Sequence, residues 1–151
     1  MNPRHSLQPE HPLSVLLVED DAGDVMIARE ALAAGRLSTD LHVVPDGVEA
    51  MSYLRRGEGY ADAIRPDLIL LDLNLPRKSG HEVLAEVKQD PALRRIPVVV
   101  LTTSEAEEDV LRSYSLHANA YVTKPVDFER FVQVVQQIDD FFVSVVRLPR
   151  R

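Results

Sequence analysis

Four of the five short apolar runs in this chain stop abruptly on residues able to do chemistry. Residues 13–18 (LSVLLV) end at Glu19, Asp20 and Asp21. Residues 67–71 (DLILL) end at Asp72, 96–101 (IPVVVL) at Thr102 and Thr103, and 120–123 (AYVT) at Lys124. A fifth run, 41–44 (LHVV), carries no such terminus. Apolar runs this short, rich in β-branched residues, predict buried strands.

Amphipathic segments separate the runs. Val25, Ala28 and Leu32 give one face of a helix over 24–34, which Gly35 stops. Asp46-Gly-Val-Glu49 has capping-box spacing, and Val48, Met51 and Leu54 supply the apolar face that follows. Residues 55–66 (RRGEGYADAIRP) are polar and Gly-containing and predict a loop. A helix is expected over 81–89, closed by Pro91. A second capping box, Ser104-Glu-Ala-Glu107, starts another to about residue 116, and a last one spans 128–146. Strand and helix alternate five times, which predicts an α/β fold with a parallel sheet and right-handed crossovers. Residues 1–12 are expected to be a flexible leader, 13–146 the domain, and 147–151 a tail.

Composition narrows the function. The 151 residues suit one domain, so no separate DNA-binding or enzymatic output domain is expected. The absence of cysteine excludes disulfides, thiolate metal sites and a thiol nucleophile. A net charge of −7 argues against direct nucleic-acid binding, which needs a basic surface. No apolar run reaches the ~20 residues of a membrane span, and the polar first twelve residues do not form a signal peptide, so a cytoplasmic location is expected. The five histidines are scattered without ligand spacing.

In a parallel sheet the carboxyl ends of all strands lie on one edge, where ligands bind at the topological switch point. Glu19, Asp20, Asp72, Thr102 or Thr103, and Lys124 should therefore converge there. Clustered carboxylates repel unless a cation joins them, and an oxygen-only donor set favours Mg²⁺ or Mn²⁺. A carboxylate, a divalent ion, an ammonium and a hydroxyl are the parts needed to move a phosphoryl group onto an aspartate. Asp21 reads better as a helix cap, or as a residue just outside the ligand set, than as a ligand. Asp109, Asp127, Asp139 and Asp140 read as solvated faces or caps.

The segments LLVEDD (16–21), LILLDLNLP (68–76), VVVLTTS (98–104) and AYVTKP (120–125), in this order, resemble the receiver domain of two-component response regulators. The resemblance spans about residues 13–142 and implies a flavodoxin-like, doubly wound, five-stranded parallel sheet of order 2-1-3-4-5 with five helices. The long loop before the third strand, the segment LTTSEAEEDVLRSYSLHANAYVTKP and the tail ending in Leu148-Pro149 look closest to the stand-alone regulators that partner bacterial and cyanobacterial phytochromes.

The resemblance implies a role at each matching position. Asp72 would accept the phosphoryl group from the phosphohistidine of a sensor histidine kinase, here of the phytochrome type. Asp20 would bind Mg²⁺ directly, Glu19 would hold it through water, and Asn74 would lend its backbone carbonyl. Lys124 would pair with Asp72 and then with the phosphoryl oxygens. Thr102 would swing to bond the phosphoryl group, and Tyr121 would rotate in behind it. A cis peptide bond is expected before Pro125. One departure is Ser79, where many receivers carry an acid before the glycine. No enzymatic activity beyond the protein's own phosphorylation and dephosphorylation is expected. A phosphate-independent interaction module and an aspartyl phosphohydrolase are the alternatives. The second is weakened by Asn74, which stands where a hydrolase carries its second aspartate.

The last helix has its own pattern. Phe128, Phe131, Val135, Ile138, Phe142 and Val145 step by three and four, and Val134 and Phe141 add a second strip. So wide an apolar face predicts a homodimer through the last two helices.

Overall fold

The computed structural model describes residues 12–102, 120–123 and 127–145. The apolar runs form five parallel strands, β1 (Leu13–Val18), β2 (Thr39–Val44), β3 (Leu68–Asp72), β4 (Val98–Thr102) and β5 (Ala120–Thr123). They lie in the order β2-β1-β3-β4-β5, as the sequence predicts. Four helices are described: α1 (Ala22–Ala33), α2 (Gly47–Leu54), α3 (Gly80–Gln89) and α4 (Phe128–Val145). The helix expected from Ser104, together with Thr103, His117, Lys124, Pro125 and the expected leader up to residue 11, lies outside the described residues, as does the tail.

Period-two alternation divides the strand side chains between two cores. Leu13, Val15 and Leu17 of β1, with Leu68 and Leu70 of β3, pack under α1 and α4. Leu16 and Val18, with Ile69 and Leu71, pack under α2 and α3. This burial on both faces explains why the central strands read as unbroken apolar runs. Phe131 of α4 is fully buried, a burial worth about 1.5–3 kcal/mol.

The boundaries differ from expectation where side chains reach across. The third strand begins at Leu68, because Asp67 turns to the start of β1. Its N–H donates to the Ser14 carbonyl at 2.7 Å, and its carboxylate accepts the Ser14 N–H at 2.9 Å. The same strand continues through Asp72, whose backbone pairs with Leu101. β2 starts two residues early, at Thr39, opposite Leu13.

Two side chains depart from the expected faces, and the apolar residues of the last helix divide between core and surface. Val48 is exposed, and Ala50, Met51, Tyr53 and Leu54 bury α2 instead. Asp139, expected in solvent or at a cap, is buried, and Asp140 beside it is exposed and pairs with Arg36. In α4, Phe131, Val134, Val135 and Ile138 cover the sheet, whereas Phe128 and Phe141 are 42% and 47% exposed.

Candidate functional site

The chain leaves β1 toward β2 on one side, and β3 pairs with β1 on the other, so the switch point lies between β1 and β3. The register Val18↔Leu71 brings the residues that follow, Glu19 and Asp72, side by side at that edge. Carboxylate oxygens of Glu19, Asp20 and Asp72 lie within 4.8 Å of one another. Glu19 and Asp72 are each 1% exposed, and Asp20 opens to solvent.

Local hydrogen bonds set these side chains. The Glu19 N–H donates to the Val44 carbonyl at 3.0 Å, which extends the β1–β2 ladder by one residue. Its Oε2 accepts the Asp21 N–H at 3.1 Å. Asp21 caps α1 through the N–H of Gly23 at 2.8 Å and of Asp24 at 3.4 Å, the structural role expected of it. The Asp72 Oδ1 accepts the Asn74 N–H at 3.0 Å, so the loop that carries Asn74 also orients the carboxylate.

The β3–α3 loop is held closely. A Cβ at Gly80 would collide with the Asp72 carbonyl oxygen and lie 2.6 Å from the Leu73 Cα. A Cβ at Gly47 would lie 2.8 Å from the Lys78 carbonyl carbon. Both contacts are against backbone, so only glycine fits. Ser79, the departure from the acidic pattern, is the N-cap of α3. Its Oγ accepts the Glu82 N–H at 3.3 Å, and Glu82 Oε1 accepts the Ser79 N–H at 3.2 Å. The Ser79-x-x-Glu82 spacing is the sequence signal for this cap.

The donor set fits a hard divalent cation. It is all oxygen, two of its three carboxylates are withdrawn from water, and one side is open to a further ligand. Of the other predicted residues, Thr102 ends β4 one step beyond the partner of Asp72, and Tyr121 pairs with Val100 in β5. The structure thus brings Glu19, Asp20 and Asp72 together, with Asn74 beside them, and Lys124 lies outside the described residues.

A second feature was not foreseen. His42 and Tyr53 stack with centroids 4.5 Å apart, and Tyr60 meets both edge-on. They line a cavity of about 450 Å³ between β2 and the 55–66 loop. The Tyr60 hydroxyl donates to Glu49 Oε1 at 2.6 Å, so Glu49 serves this loop, while Asp46 Oδ1 alone caps α2 by accepting the Glu49 N–H at 2.9 Å.

A five-stranded parallel sheet with three clustered carboxylates at its switch point, two of them buried, defines a flavodoxin-like α/β domain with a candidate cation site. The chain belongs to the response regulator receiver domain family, whose pattern matches residues 15–136. Phytochrome response regulators are among its relatives. It is 48% identical over 138 residues to Response regulator Rcp1 of Synechocystis sp., covering 91% of this chain and 94% of that one. It superposes on the phosphorylated cyanobacterial phytochrome response regulator RcpA with a TM-score of 0.78 at 50% identity, covering 93% of this chain and all of the other. The Mn²⁺-bound form of Rcp1 gives 0.77 at 47% identity, over 92% and 100% of the two chains. The bacteriophytochrome response regulator RtBRR gives 0.75 at 40%, over 93% and 80%.

Proposed function

We propose that this protein is a response regulator that accepts a phosphoryl group on Asp72 from the phosphohistidine of a phytochrome-type sensor histidine kinase. The observation that carries the reading is the buried Asp72 carboxylate at the end of β3, with Glu19 and Asp20 oxygens within 4.8 Å. An Asp72 carboxylate oxygen attacks phosphorus, the P–N bond to the kinase imidazole breaks, and the imidazole nitrogen keeps the electron pair. The Asn74 N–H on Oδ1 holds the carboxylate in one orientation during the attack. Glu19, Asp20, Asp72 and the Asn74 carbonyl would hold Mg²⁺ or Mn²⁺, which when bound offsets negative charge on the phosphoryl oxygens.

Lys124 and Thr102 are the proposed ammonium and hydroxyl that receive the phosphoryl oxygens, and Tyr121 is the proposed switch behind them. The signal then leaves by protein–protein contact, through a population shift biased by the new bonds. The only chemistry assigned to the chain is its own phosphorylation and dephosphorylation. The exposed Phe128 and Phe141 support self-association through the α4 end of the sheet. Among the described residues no helix is long and apolar enough to cross a membrane.

Phosphotransfer from a labelled phytochrome-type kinase tests the reading. The wild type should take label in the presence of Mg²⁺, and Asp72→Asn should take none while keeping its circular dichroism spectrum. Equal labelling of the two would refute the assignment.

A further inference from the structure

The metal-side loop, residues 73–79, is gripped by an element far from it in sequence. Asp46, at the start of α2, is 5% exposed and uses its two carboxylate oxygens in two directions. Oδ1 accepts the Glu49 N–H at 2.9 Å and so caps α2. Oδ2 pairs with Arg77 Nη1 at 3.4 Å. Arg77 has a φ of 66°, in the left-handed region that an arginine seldom occupies without an external constraint. The next residue, Gly47, lies so close to Lys78 that no Cβ could be inserted between them. Two residues on from Lys78, Gly80 lies against the Asp72 carbonyl in the same way, which closes the loop onto its own start. Asn74 lies between Asp72 and Arg77 in this closed loop and donates its N–H to Asp72.

We infer that Asp46 is a positioning residue for the phosphoacceptor site: by holding Arg77 it keeps the 73–79 loop in the conformation that presents Asn74 to Asp72 and to a divalent cation. The part concerning the cation rests on the proposed reading of Glu19, Asp20 and Asp72 as its holders. Charge, rather than capping, carries the effect, because asparagine caps a helix as well as aspartate does. Groups that orient metal ligands from outside the coordination shell are worth about tenfold or more in metal affinity.

Asp46→Asn keeps the cap and removes the charge, and Arg77→Gln removes it from the other end without touching α2. Two quantities are read. The first is the hydrogen-exchange rate of the Asn74 amide in metal-free protein, by NMR. The second is Mn²⁺ affinity, by calorimetry. Both variants should unfold at nearly the wild-type midpoint, exchange the Asn74 amide several-fold faster and bind Mn²⁺ about tenfold more weakly. The double variant should be no worse than either single one, since both break one link. Wild-type exchange at Asn74 in both variants would overturn the inference, whatever the metal does. Equal Mn²⁺ binding by wild type and Asp72→Asn would instead overturn the metal reading, and the exchange rates would still decide the role of Asp46.

Discussion

Asp139 Oδ2 of α4 accepts the backbone N–H of Arg36 at 2.8 Å, across 103 positions of sequence. The bond fastens the last helix to the turn after α1. Gly35 in that turn lies so close that a Cβ there would be 2.7 Å from the same oxygen. Burial pushes the Asp139 carboxyl above its ordinary value, while the N–H groups of Arg36 and Leu37 and the Arg36 charge pull it down. A carboxyl raised by folding stabilises the fold fully below its unfolded pKa, and loses that contribution as pH rises through its folded pKa.

Asp139→Ala should therefore cost about 1–3 kcal/mol, because it leaves the part-buried N–H of Arg36 and that of Leu37 without their acceptor. Asp139→Asn keeps an acceptor and removes the charge, so it should be far milder at neutral pH. Urea unfolding across the acid range should show the wild type gaining on Asp139→Asn as pH falls. A parallel pH dependence in the two proteins would refute the assignment.

The hydrogen bond from Tyr60 to Glu49 predicts a second titration. That bond, with some burial, pushes the Tyr60 hydroxyl up to about 12. Its stabilising effect is complete below the ordinary tyrosine value of about 10 and disappears as pH rises through the raised one. Ultraviolet titration should show a late-ionising tyrosine that Glu49→Gln shifts downward. Tyr60→Phe should cost about 1 kcal/mol in urea unfolding and remove that late step.

Gly80 is expected to tolerate no side chain. Gly80→Ala forces a methyl group into the Asp72 carbonyl and the Leu73 Cα, neither of which can rotate away. Overpacking of this kind costs about 1–3 kcal/mol, and here it should also weaken Mn²⁺ binding, because the displaced backbone carries Asp72. Denaturation and calorimetry on one sample check both effects.

Glu19→Gln should reduce Mg²⁺ and Mn²⁺ affinity at least tenfold, equivalent to about 1.4 kcal/mol. A ligand that binds only the folded state raises its stability, so millimolar Mg²⁺ should raise the wild-type melting temperature and raise that of Glu19→Gln much less. Equal shifts in the two proteins would count against Glu19 as a metal holder.

Phe128 and Phe141 lie outside the packed strip of α4. Replacing both by serine should cost about 1–3 kcal/mol within the monomer, because each ring is partly buried, and should shift sedimentation toward monomer at micromolar concentration. An unchanged sedimentation profile would show that these two rings do not form the interface.

Much of this molecule was legible in its sequence, because each central strand is an apolar run buried on both faces and each chemical residue stands at a strand end. The order of the strands is the one the receiver-like motifs imply, and the meeting of Glu19 with Asp72 follows from that order. The acidic stop after LSVLLV and the single acid inside LILLDL were enough to name Glu19, Asp20 and Asp72. The five-stranded order, the loop over 55–66 and the N-cap at Asp21 are as the local pattern implies.

Only tertiary contacts decided the rest. Asp139 looks like any solvent-facing acid on a helix, and its burial depends on where the turn after α1 comes to lie. Glu49 has the spacing of a capping partner, yet a tyrosine eleven residues away takes its carboxylate. Asp46 reads as a helix cap, and nothing local announces that its second oxygen reaches Arg77 in the loop beside Asp72. Periodicity and strand-end chemistry report what a residue does within its own element. Which distant group occupies a spare hydrogen-bonding atom is set by how elements pack, and one-dimensional spacing does not encode it.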